Sequence, residues 1–380
     1  YPCDAGAPGM LVGDLPAGDA AEAVLAGALP LLRDLPHGAA AEGLLRATLA
    51  GSADLGAWFA RLLARLFARW GLVLCDPRDP ALRRLALPVL RAELARPLET
   101  TRRLRERAAE LRRRGYPPAL TKPEHVVNLF RYDGHRQRIS FTDGAYAIDG
   151  VRVAPAALRA AVDDDPGGFV PNAVLRPVVQ EYLFGSLAFV AGPHEAEYWA
   201  ELAPVFAALD VRMPAVVIRA GATLVPRRHA RRLRQWEIAP LDLLVAYDRL
   251  RLTLLDAAGP DAVREAFALS RAELGRVAAR LAQAVAGVEP TLAAAAAAAH
   301  QRMAHELERL ERKTRKAIER GDDDLTARLA ATREALFPHG GLQERALNVC
   351  SLIGRYGEGI IAQLVELLDG EEGQHLFVEI

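Results

Sequence analysis

Three polar side chains stand at fourfold spacing in the segment PNAVLRPVVQEY: Asn172, Arg176 and Gln180. A guanidinium group flanked by two amides can bind the oxygen atoms of a carboxylate, a phosphate or a hydroxyl group. Pro177 interrupts the pattern, because proline is excluded from helix interiors and pushes the residue before it out of the α region. The segment therefore predicts a helix that begins at Pro177, with Arg176 just outside it and Asn172 in the preceding loop.

The next two predicted strands end beside residues that suit an anion. The segment SLAFV, at 186–190, predicts a strand, and Gly192 and Pro193 begin a helix directly after it. The first N–H groups of a helix have no partner within the helix and carry partial positive charge, which favours a carboxylate or a phosphate. Arg219 follows the second predicted strand, AVVI. In open α/β sheets the ligand lies at this carboxyl edge of the strands.

Together these residues predict a receptor for an anionic ligand that carries hydroxyl or amide groups. Tyr198 lies in the helix after Gly192, and its hydroxyl can turn toward the same crevice. Two structural alternatives stay open, because Gly-Pro helix starts are common and an arginine after a strand more often forms a salt bridge. The predicted binding residues are Asn172, Arg176, Gln180, Gly192, Tyr198 and Arg219.

The elements that position these residues begin with a helical N-terminal part. Apolar periodicity predicts helices at 18–34, 38–50, 54–70 and 99–115. The run GLVLC after the third helix predicts a short strand. The Asp-Pro turn that follows leads to a helix starting near Pro80, with Asp79 as its N-cap. A βα unit is the simplest interpretation of this segment.

Three Asp-Gly pairs separate short alternating runs between residues 125 and 153. Asp-Gly between two apolar runs is a strong signal for a β-hairpin, because both residues tolerate the positive φ angles of a tight turn. The region predicts a small antiparallel meander that is inserted into, or flanks, the α/β core.

From about 261 to 336 the sequence predicts helix throughout. One heptad seam consists of His300, Met303, Leu307, Leu310, Thr314 and Ala317. The pattern resumes after Gly321 with Leu325, Leu329, Thr332 and Leu336. It predicts an antiparallel helical hairpin that turns at Gly321, and a seam of this kind favours a homodimer through the coiled coil.

Composition excludes several classes of protein. The 48 basic and 48 acidic side chains cancel, which argues against a nucleic-acid binder, and the basic run at 227–236 is more typical of a solvated helix face. No apolar run could span a bilayer and no signal peptide opens the sequence, so we expect no membrane partner and a cytoplasmic location.

No metal site is predicted. Cys3, Cys75 and Cys350 are far apart and form no CxxC motif, so neither a disulfide framework nor a zinc knuckle is indicated. His300 and His305 are five residues apart and do not share a helix face. The acidic run that begins at 163 precedes Pro-Gly-Gly and is typical of a solvated loop.

Four blocks of this sequence resemble one known family. The segment at 171–225, which begins PNAVLRPVVQEY and ends AVVIRAGATLV, resembles the signature region of the bacillithiol biosynthesis cysteine-adding enzymes, the cysteine ligases. GLVLCDPRDPALRRLALPVLRAEL, the meander, and FPHGGLQERALNVCSLIGRYG with the late His375 resemble further blocks of that family in the same order.

The resemblance implies a fold, a reaction and an assembly. It implies a Rossmann-like core with connecting insertions and a helical coiled coil that builds a dimer. The implied substrates are cysteine and glucosaminyl malate, joined through an amide to give bacillithiol. Arg176, Arg219 and the helix start at Gly192 would hold the malate carboxylates or an activated intermediate. No general base is evident, and the cofactor stays open, with ATP or another nucleotide as the candidate that the resemblance suggests.

The sequence also departs from the family pattern. Family members begin with a segment that carries a Gly-Gly-Gln-Gln and a Glu-Asp-His-Asp stretch, and neither is present, so we expect a chain that lacks the family's N-terminal Rossmann segment. Two alternatives to an active ligase therefore stay open: a non-catalytic homologue that binds an anionic sugar or nucleotide, and a coiled-coil dimerisation scaffold. A second pocket is predicted from Gln343, Arg345, Asn348 and His375, although Gln343 and Asn348 equally suit hydrogen-bonding anchors.

The predicted fold class is α/β, with an incomplete Rossmann-like core, a small antiparallel β meander insertion and an antiparallel α-helical coiled-coil domain. The expected division is 1–98 for a partial core with helices, 99–168 for the connecting insertion, 169–260 for the rest of the core with its ligand crevice, 261–337 for the coiled coil, and 338–380 for a C-terminal helical region that packs back on the core.

Overall fold

The computed structural model describes residues 10–258, 261–289, 292–321 and 323–380. The predicted site residues all lie within these ranges, whereas Cys3 lies outside the described residues. The α-helices are α1 (Asp19–Arg33), α2 (Gly38–Leu49), α3 (Leu55–Phe67), α4 (Pro80–Leu85), α5 (Leu87–Ala95), α6 (Glu99–Arg113), α7 (Pro155–Asp164), α8 (Leu175–Phe184), α9 (Pro193–Ala208), α10 (Arg227–Trp236), α11 (Asp242–Val245), α12 (Tyr247–Ala258), α13 (Asp261–Ala286), α14 (Leu292–Gly321), α15 (Asp323–Leu336), α16 (Gln343–Ala346), α17 (Val349–Tyr356) and α18 (Gly359–Leu368).

The strands are β1 (Val126–Tyr132), β2 (Arg136–Thr142), β3 (Ala145–Ile148), β4 (Val151–Val153), β5 (Phe169–Pro171), β6 (Ala188–Ala191), β7 (Ala215–Ile218), β8 (Gly221–Val225) and β9 (His375–Glu379). The chain forms two compact units, Tyr1–Gly221 with Asn348–Gln374 and Ala222–Leu347 with His375–Ile380. This mixed α/β architecture confirms the predicted fold class.

The first unit contains the predicted meander. Five strands pair in the order β4-β3-β2-β1-β5, and every neighbouring pair is antiparallel. At two of the Asp-Gly turns both residues have positive φ, with 49° and 74° at Asp143 and Gly144 and 45° and 87° at Asp149 and Gly150. These angles are those of a type I′ turn, whose twist matches that of the flanking strands. The hairpin prediction is confirmed.

One apolar core joins this meander to the segment that carries the predicted site. Leu94 from α5, Leu104 from α6, Leu158 from α7 and Tyr146 from β3 are buried in it. Trp199 of α9 lies in the same core and stacks on Phe189 of β6, with ring centroids 4.2 Å apart. Burial of each large apolar side chain stabilises the unit by about 1.5–3 kcal/mol. The core therefore fixes α9 and β6 relative to the sheet.

The two strands predicted on either side of α9 are confirmed. Strands β6 and β7 pair in parallel, with Ala191 opposite Ile218 at their carboxyl ends. Parallel strands are usually covered on both faces. Here Leu187 before β6 is 93% exposed and Val190 within it is 61% exposed.

The predicted strand in GLVLC is wrong. Residues 72–76 form no strand, and Val73 is 82% exposed. An apolar run becomes a strand only where a neighbour satisfies its backbone groups, and no described strand pairs with this one. The Asp-Pro turn is nevertheless ordered, because Arg78 binds Asp54 and Asp76 at 3.0 and 2.7 Å. Helix α4 begins at Pro80 as predicted, capped by the Asp79 carboxylate.

The second unit contains the coiled coil, but its hairpin turn lies elsewhere than predicted. Helices α13 and α14 pack along their lengths, and Arg271 binds Glu311 at 2.7 Å. Residues 271 and 311 are equally far from residue 291, so the two helices run antiparallel and the turn lies between them, not at Gly321. Helix α15 instead places Leu329 and Leu336 in an apolar core with α10.

The predicted heptad seam is half correct. His300, Leu307 and Thr314 are half-buried against the rest of the unit, whereas Met303 and Leu310 are 42% and 54% exposed. Heptad spacing alone does not show which of the seam positions of α14 face α13, because that depends on where the partner helix packs.

The C-terminal region is helical through α16, α17 and α18, but it ends in a strand that the sequence analysis missed. Strand β9 pairs with β8. Its residue Phe377 packs edge-on against Phe337, with centroids 6.2 Å apart. A strand of five residues at the end of a helical region is too short to show a clear alternation of apolar and polar residues.

Candidate functional site

Helix α8 begins two residues earlier than the sequence predicts. Its first residue is Leu175, and the Oδ1 atom of Asn172 accepts hydrogen bonds from the N–H groups of Val174 and Leu175 at 2.9 and 3.2 Å. Pro177 is tolerated as the third residue, because the first N–H groups of a helix have no partner within it. Arg176 therefore belongs to the first turn and does not precede the helix.

The side chain of Asn172 is also bound from its other end. Its Nδ2 atom donates to Oδ1 of Asn128 at 3.1 Å, and Nδ2 of Asn128 donates to the hydroxyls of Thr100 and Thr101 at 2.8 and 3.1 Å. The Thr100 hydroxyl in turn donates to Glu93 at 2.7 Å. We call these five residues the Asn128 network.

Four members of the Asn128 network are buried, with only Asn172 reaching the surface. Burial raises the pKa of Glu93, while hydrogen bonds from Thr100 and from the backbone N–H of Asn128 oppose that rise. An asparagine side chain has four hydrogen-bonding positions, and Asn172 uses three of them inside the protein. The geometry makes Asn172 a residue that positions the start of α8.

Arg176 and Tyr198 come together as the sequence analysis expects. The Nη2 atom of Arg176 donates to the Tyr198 hydroxyl at 2.9 Å. Arg176 is exposed, and Tyr198 packs its ring against the core of the first unit. The hydrogen bond holds the guanidinium group of α8 against α9.

Gly192 and Arg219 also come together, at the carboxyl edge of the parallel strands. Ala191 pairs with Ile218, so the next residue on each strand lies side by side. The backbone N–H of Arg219 donates to the Ala191 carbonyl at 2.8 Å. Its Nη1 atom donates to the Ala220 carbonyl at 3.3 Å.

Glu195 is a residue of this site that was not predicted from the sequence. Its Oε2 atom accepts a hydrogen bond from the N–H of Gly192 at 2.9 Å, so a carboxylate of the chain itself lies at the start of α9. The signal was present, because an acidic residue three positions after an N-cap accepts a hydrogen bond from the N-cap N–H, as in one half of a capping box. A ligand anion at this helix end has to share it with the Glu195 charge.

Gln180 lies two turns into α8 and donates from Nε2 to Oε1 of Glu181 at 3.1 Å. Glu181 is buried, and its second oxygen accepts from the N–H of Ser186 at 3.0 Å. This bond ties the end of α8 to the residue that leads into β6.

Four of the six predicted residues therefore form two contacting pairs, and the other two make hydrogen bonds that hold α8 in place. Tyr198 is the sixth residue of α9, which places it about 8 Å along the axis from the helix start. The Arg176–Tyr198 pair and the Gly192–Arg219 pair thus lie at separate points along α9, while Asn172 and Gln180 hold α8. Two guanidinium groups suit a ligand with more than one carboxylate, and the Glu195 carboxylate suits a separate ligand with an ammonium group.

The residues of the predicted second pocket have hydrogen-bond partners within the protein. Gln343 is buried and bonds the backbone of Leu224 with both ends of its amide, at 2.9 Å each, and it also donates to the Ala335 carbonyl at 2.7 Å. Asn348 belongs to the other unit and caps α17 by accepting from the N–H of Cys350 at 2.9 Å. Gln343 and Asn348 thus act as hydrogen-bonding anchors, which was the alternative to a role in a pocket.

The other two predicted residues of that pocket, Arg345 and His375, belong to the same unit as Gln343. His375 lies on β9, where Nε2 is 2.9 Å from the hydroxyl of Thr223 on β8. Arg345 is exposed on the short helix α16. Across the described ranges no three metal-ligating side chains come together, and no described helix is long and apolar enough to cross a membrane.

Comparison with known families covers both units. The model of the bacillithiol biosynthesis BshC N-terminal Rossmann-like domain matches residues 4–220, and that of the BshC C-terminal coiled-coil domain matches residues 222–380. The chain belongs to the BshC family. The fold agrees with this assignment, since the parallel β6–β7 pair lies in the first matched region and the α13–α14 hairpin in the second.

Curated BshC relatives share less than a third of the aligned residues. A protein of Koribacter versatilis (strain Ellin345), named "Putative cysteine ligase BshC", is 31% identical over 317 residues, which is 83% of this chain and 59% of that protein. Proteins with the same name from Bacillus cereus (strain G9842) and Bacillus mycoides (strain KBAB4) are each 29% identical over 332 and 327 residues, or 85% of this chain and 61% of theirs. The chain thus spans about three fifths of the length of the curated relatives that it matches.

Proposed function

We propose that this chain carries the substrate-binding part of a cysteine ligase of bacillithiol biosynthesis, which joins cysteine to glucosaminyl malate through an amide bond. The observation that carries the proposal is the match of both BshC domains, in order, over residues 4–220 and 222–380. The BshC relatives share the name of cysteine ligase.

The geometry of the first unit supports this substrate class. The malate part of the acceptor bears carboxylates, for which Arg176 and Arg219 are suited partners. Cysteine brings an ammonium group, for which the Glu195 carboxylate is suited. When an amine attacks a carboxyl carbon that has been activated as a phosphate ester or adenylate, a tetrahedral oxyanion forms before the phosphate or nucleotide leaves with its oxygen, and a nearby guanidinium group stabilises that oxyanion.

An assay with both substrates tests the proposal. Purified protein is incubated with cysteine and glucosaminyl malate, the amide product is measured by mass spectrometry, and the Bacillus cereus relative serves as the positive control. Binding of glucosaminyl malate is measured separately by calorimetry. We expect Arg176→Gln and Arg219→Gln each to weaken binding about tenfold or more, as charge-assisted hydrogen bonds are worth about 1.5–3 kcal/mol.

The matched control is Arg103→Gln, which removes an exposed arginine of α6 that pairs with Glu99 at 2.8 Å. Equal affinity for glucosaminyl malate in wild type, Arg176→Gln and Arg219→Gln would overturn the assignment of the site. Absence of glucosaminyl malate binding to the wild type would overturn the proposed substrate class itself.

A second candidate function is binding of an anionic sugar without turnover. Glu195 favours it, because its carboxylate already occupies the start of α9 that an activated, more negative intermediate would use. Tight binding in calorimetry together with no product, under conditions in which the Bacillus cereus relative forms product, would support this function over the ligase.

We also propose that the α13–α14 hairpin forms a homodimer. Apolar side chains remain exposed on both helices, including Leu269 and Leu281 on α13 and Met303 and Leu310 on α14. Exposed apolar residues repeated along one hairpin are typical of a helix–helix interface. Light scattering should give the mass of a dimer for the wild type and of a monomer for Met303→Asp/Leu310→Asp. The exposed Leu31→Asp of α1 is the control and should remain a dimer.

A further inference from the structure

A cavity of about 360 Å³ opens on the meander, away from the residues assigned above. Its lining includes His125, Phe130, Arg136, Arg138, Ser140 and Asp149. The proposed reaction does not use this cavity, and none of the six predicted binding residues lines it.

Strand alternation builds this cavity. Arg136, Arg138 and Ser140 are two residues apart on β2, so their side chains point to the same face of the sheet. Ile139, between them, is fully buried on the opposite face. Phe130 of β1 is the direct cross-strand partner of Arg138, so its ring lies beside the arginines. The sheet therefore presents two guanidinium groups and an aromatic ring in one concave surface.

Another arginine of the same sheet, Arg131 of β1, binds the Asp165 carboxylate at 3.1 Å. Within the described part of the chain, neither Arg136 nor Arg138 makes a salt bridge. The Arg136 guanidinium lies 6.0 Å from the centre of the Phe130 ring. The acidic lining residue, Asp149, faces the backbone instead, where it accepts from the N–H of Arg138 at 2.8 Å.

Lys122 lies just before β1, and its Nζ atom donates to the Val127 carbonyl at 3.4 Å. The pKa of Lys122 is lowered to about 8, first by burial and further by the nearby Arg138, and the opposing effect comes from Glu93. Lys122 is therefore still mostly protonated at pH 7, and its closeness to Arg138 is electrostatically unfavourable. A bound anion would relieve the repulsion between these cations.

We propose that the meander cavity binds the phosphoryl group of a small phosphorylated molecule, with Arg136 and Arg138 as its ligands and Phe130 against the adjoining apolar part. A phosphate monoester carries a charge of about −1.5 to −2 at neutral pH, which matches two or three cations better than one carboxylate does. Arginine binds phosphate oxygens through parallel N–H groups, and two arginines on one strand can share them. Phosphoryl binding in this cavity is independent of the proposed ligase activity.

Phenyl phosphate is a suitable probe, because it combines the dianion with a flat apolar group. We expect saturable binding in calorimetry at constant ionic strength. Inorganic phosphate should bind several-fold more weakly, since it lacks the contact with Phe130, and benzoate should bind at least tenfold more weakly because it carries one charge. Phe130→Leu should remove the preference for phenyl phosphate over phosphate and leave phosphate binding unchanged.

The decisive variant is Arg136→Gln/Arg138→Gln, which should lower the affinity for phenyl phosphate by tenfold or more. Arg46→Gln/Arg65→Gln removes the same charge from exposed positions on α2 and α3 and should bind like the wild type. Melting temperatures within about 2 °C of the wild type would show that both variants fold. The proposal is overturned if the wild type shows no saturation below about 10 mM, or if the two double variants bind phenyl phosphate equally.

Discussion

Replacement of Asn172 by alanine separates the two roles that this residue could have. If Asn172 contacts a ligand, as the sequence predicts, the change weakens ligand binding and leaves the fold intact. If it positions α8, as its hydrogen bonds to Val174, Leu175 and Asn128 indicate, the first unit loses stability. We expect the second result.

The magnitude follows from the bonds that are lost. Loss of a helix N-cap costs about 1 kcal/mol. The change also leaves Oδ1 of the buried Asn128 without the donor that Asn172 supplied, which costs about 1–3 kcal/mol. Together these effects lower the free energy of unfolding by about 3 kcal/mol. In a unit of this size each kcal/mol shifts the melting temperature by about 2–4 °C, so the shift should be about 6–12 °C.

A graded series makes this test specific. Asn172→Ser keeps a capping oxygen but cannot reach Asn128, so it should recover about 1 kcal/mol relative to alanine. Ala173→Ser changes the neighbouring exposed position and should have no effect. Each variant is followed by urea unfolding and by calorimetry with glucosaminyl malate. A melting temperature for Asn172→Ala equal to that of the wild type, with weaker binding of glucosaminyl malate, would refute the positioning role.

Three further predictions concern charged groups. Burial and the neighbouring Arg228 and Arg232 lower the pKa of His229 to about 4. As the pH falls from 6.5, the histidine of the unfolded chain therefore takes up a proton before that of the folded chain. The second unit should lose about 2 kcal/mol of stability between pH 6.5 and 4. His229→Gln should remove that part of the slope in acid titrations followed by circular dichroism; an unchanged slope would contradict it. Because the pKa of Lys122 is lowered to about 8, the unfolded state binds more protons between pH 8 and 10.5, and the first unit should become more stable with rising pH in that window. Lys122→Met should flatten the rise in urea unfolding, and a rise of equal size would argue against the burial of the ammonium group. Glu195→Gln keeps an acceptor for Gly192 and removes a negative charge, so it should tighten glucosaminyl malate binding several-fold; weaker binding would show that the carboxylate contacts the ligand's cationic part.

Short-range chemistry made much of the fold predictable. Asp-Gly turns set the hairpins of the meander, because positive φ at Asp149 and Gly150 is a property of those two residues. The Asp79-Pro80 pair begins α4 for a similar reason, since a capping carboxylate and a fixed φ act within one turn. The strands before Gly192 and Arg219 were also evident as short apolar runs between turns.

The site required the tertiary structure wherever a side chain had a choice of partner. The spacing of Asn172 and Arg176 is the same whether they bind a ligand or the protein. Asn172 binds the protein because the buried Asn128 of β1 lies within hydrogen-bond distance of it. The coiled coil shows the same limit, because heptad spacing marks helices that can pair but not that α14 pairs with α13.

By itself, the sequence predicted the tight turns, most of the helices and strands and, through four blocks in a fixed order, a resemblance to the family. The tertiary structure alone decided that Arg176 meets Tyr198, that Gly192 lies beside Arg219, and that Asn172 and Gln343 are used by the fold itself. The physical reason is range: turns and caps depend on neighbours within a few residues, whereas a hydrogen bond such as that from Asn172 to Asn128 depends on how distant segments pack.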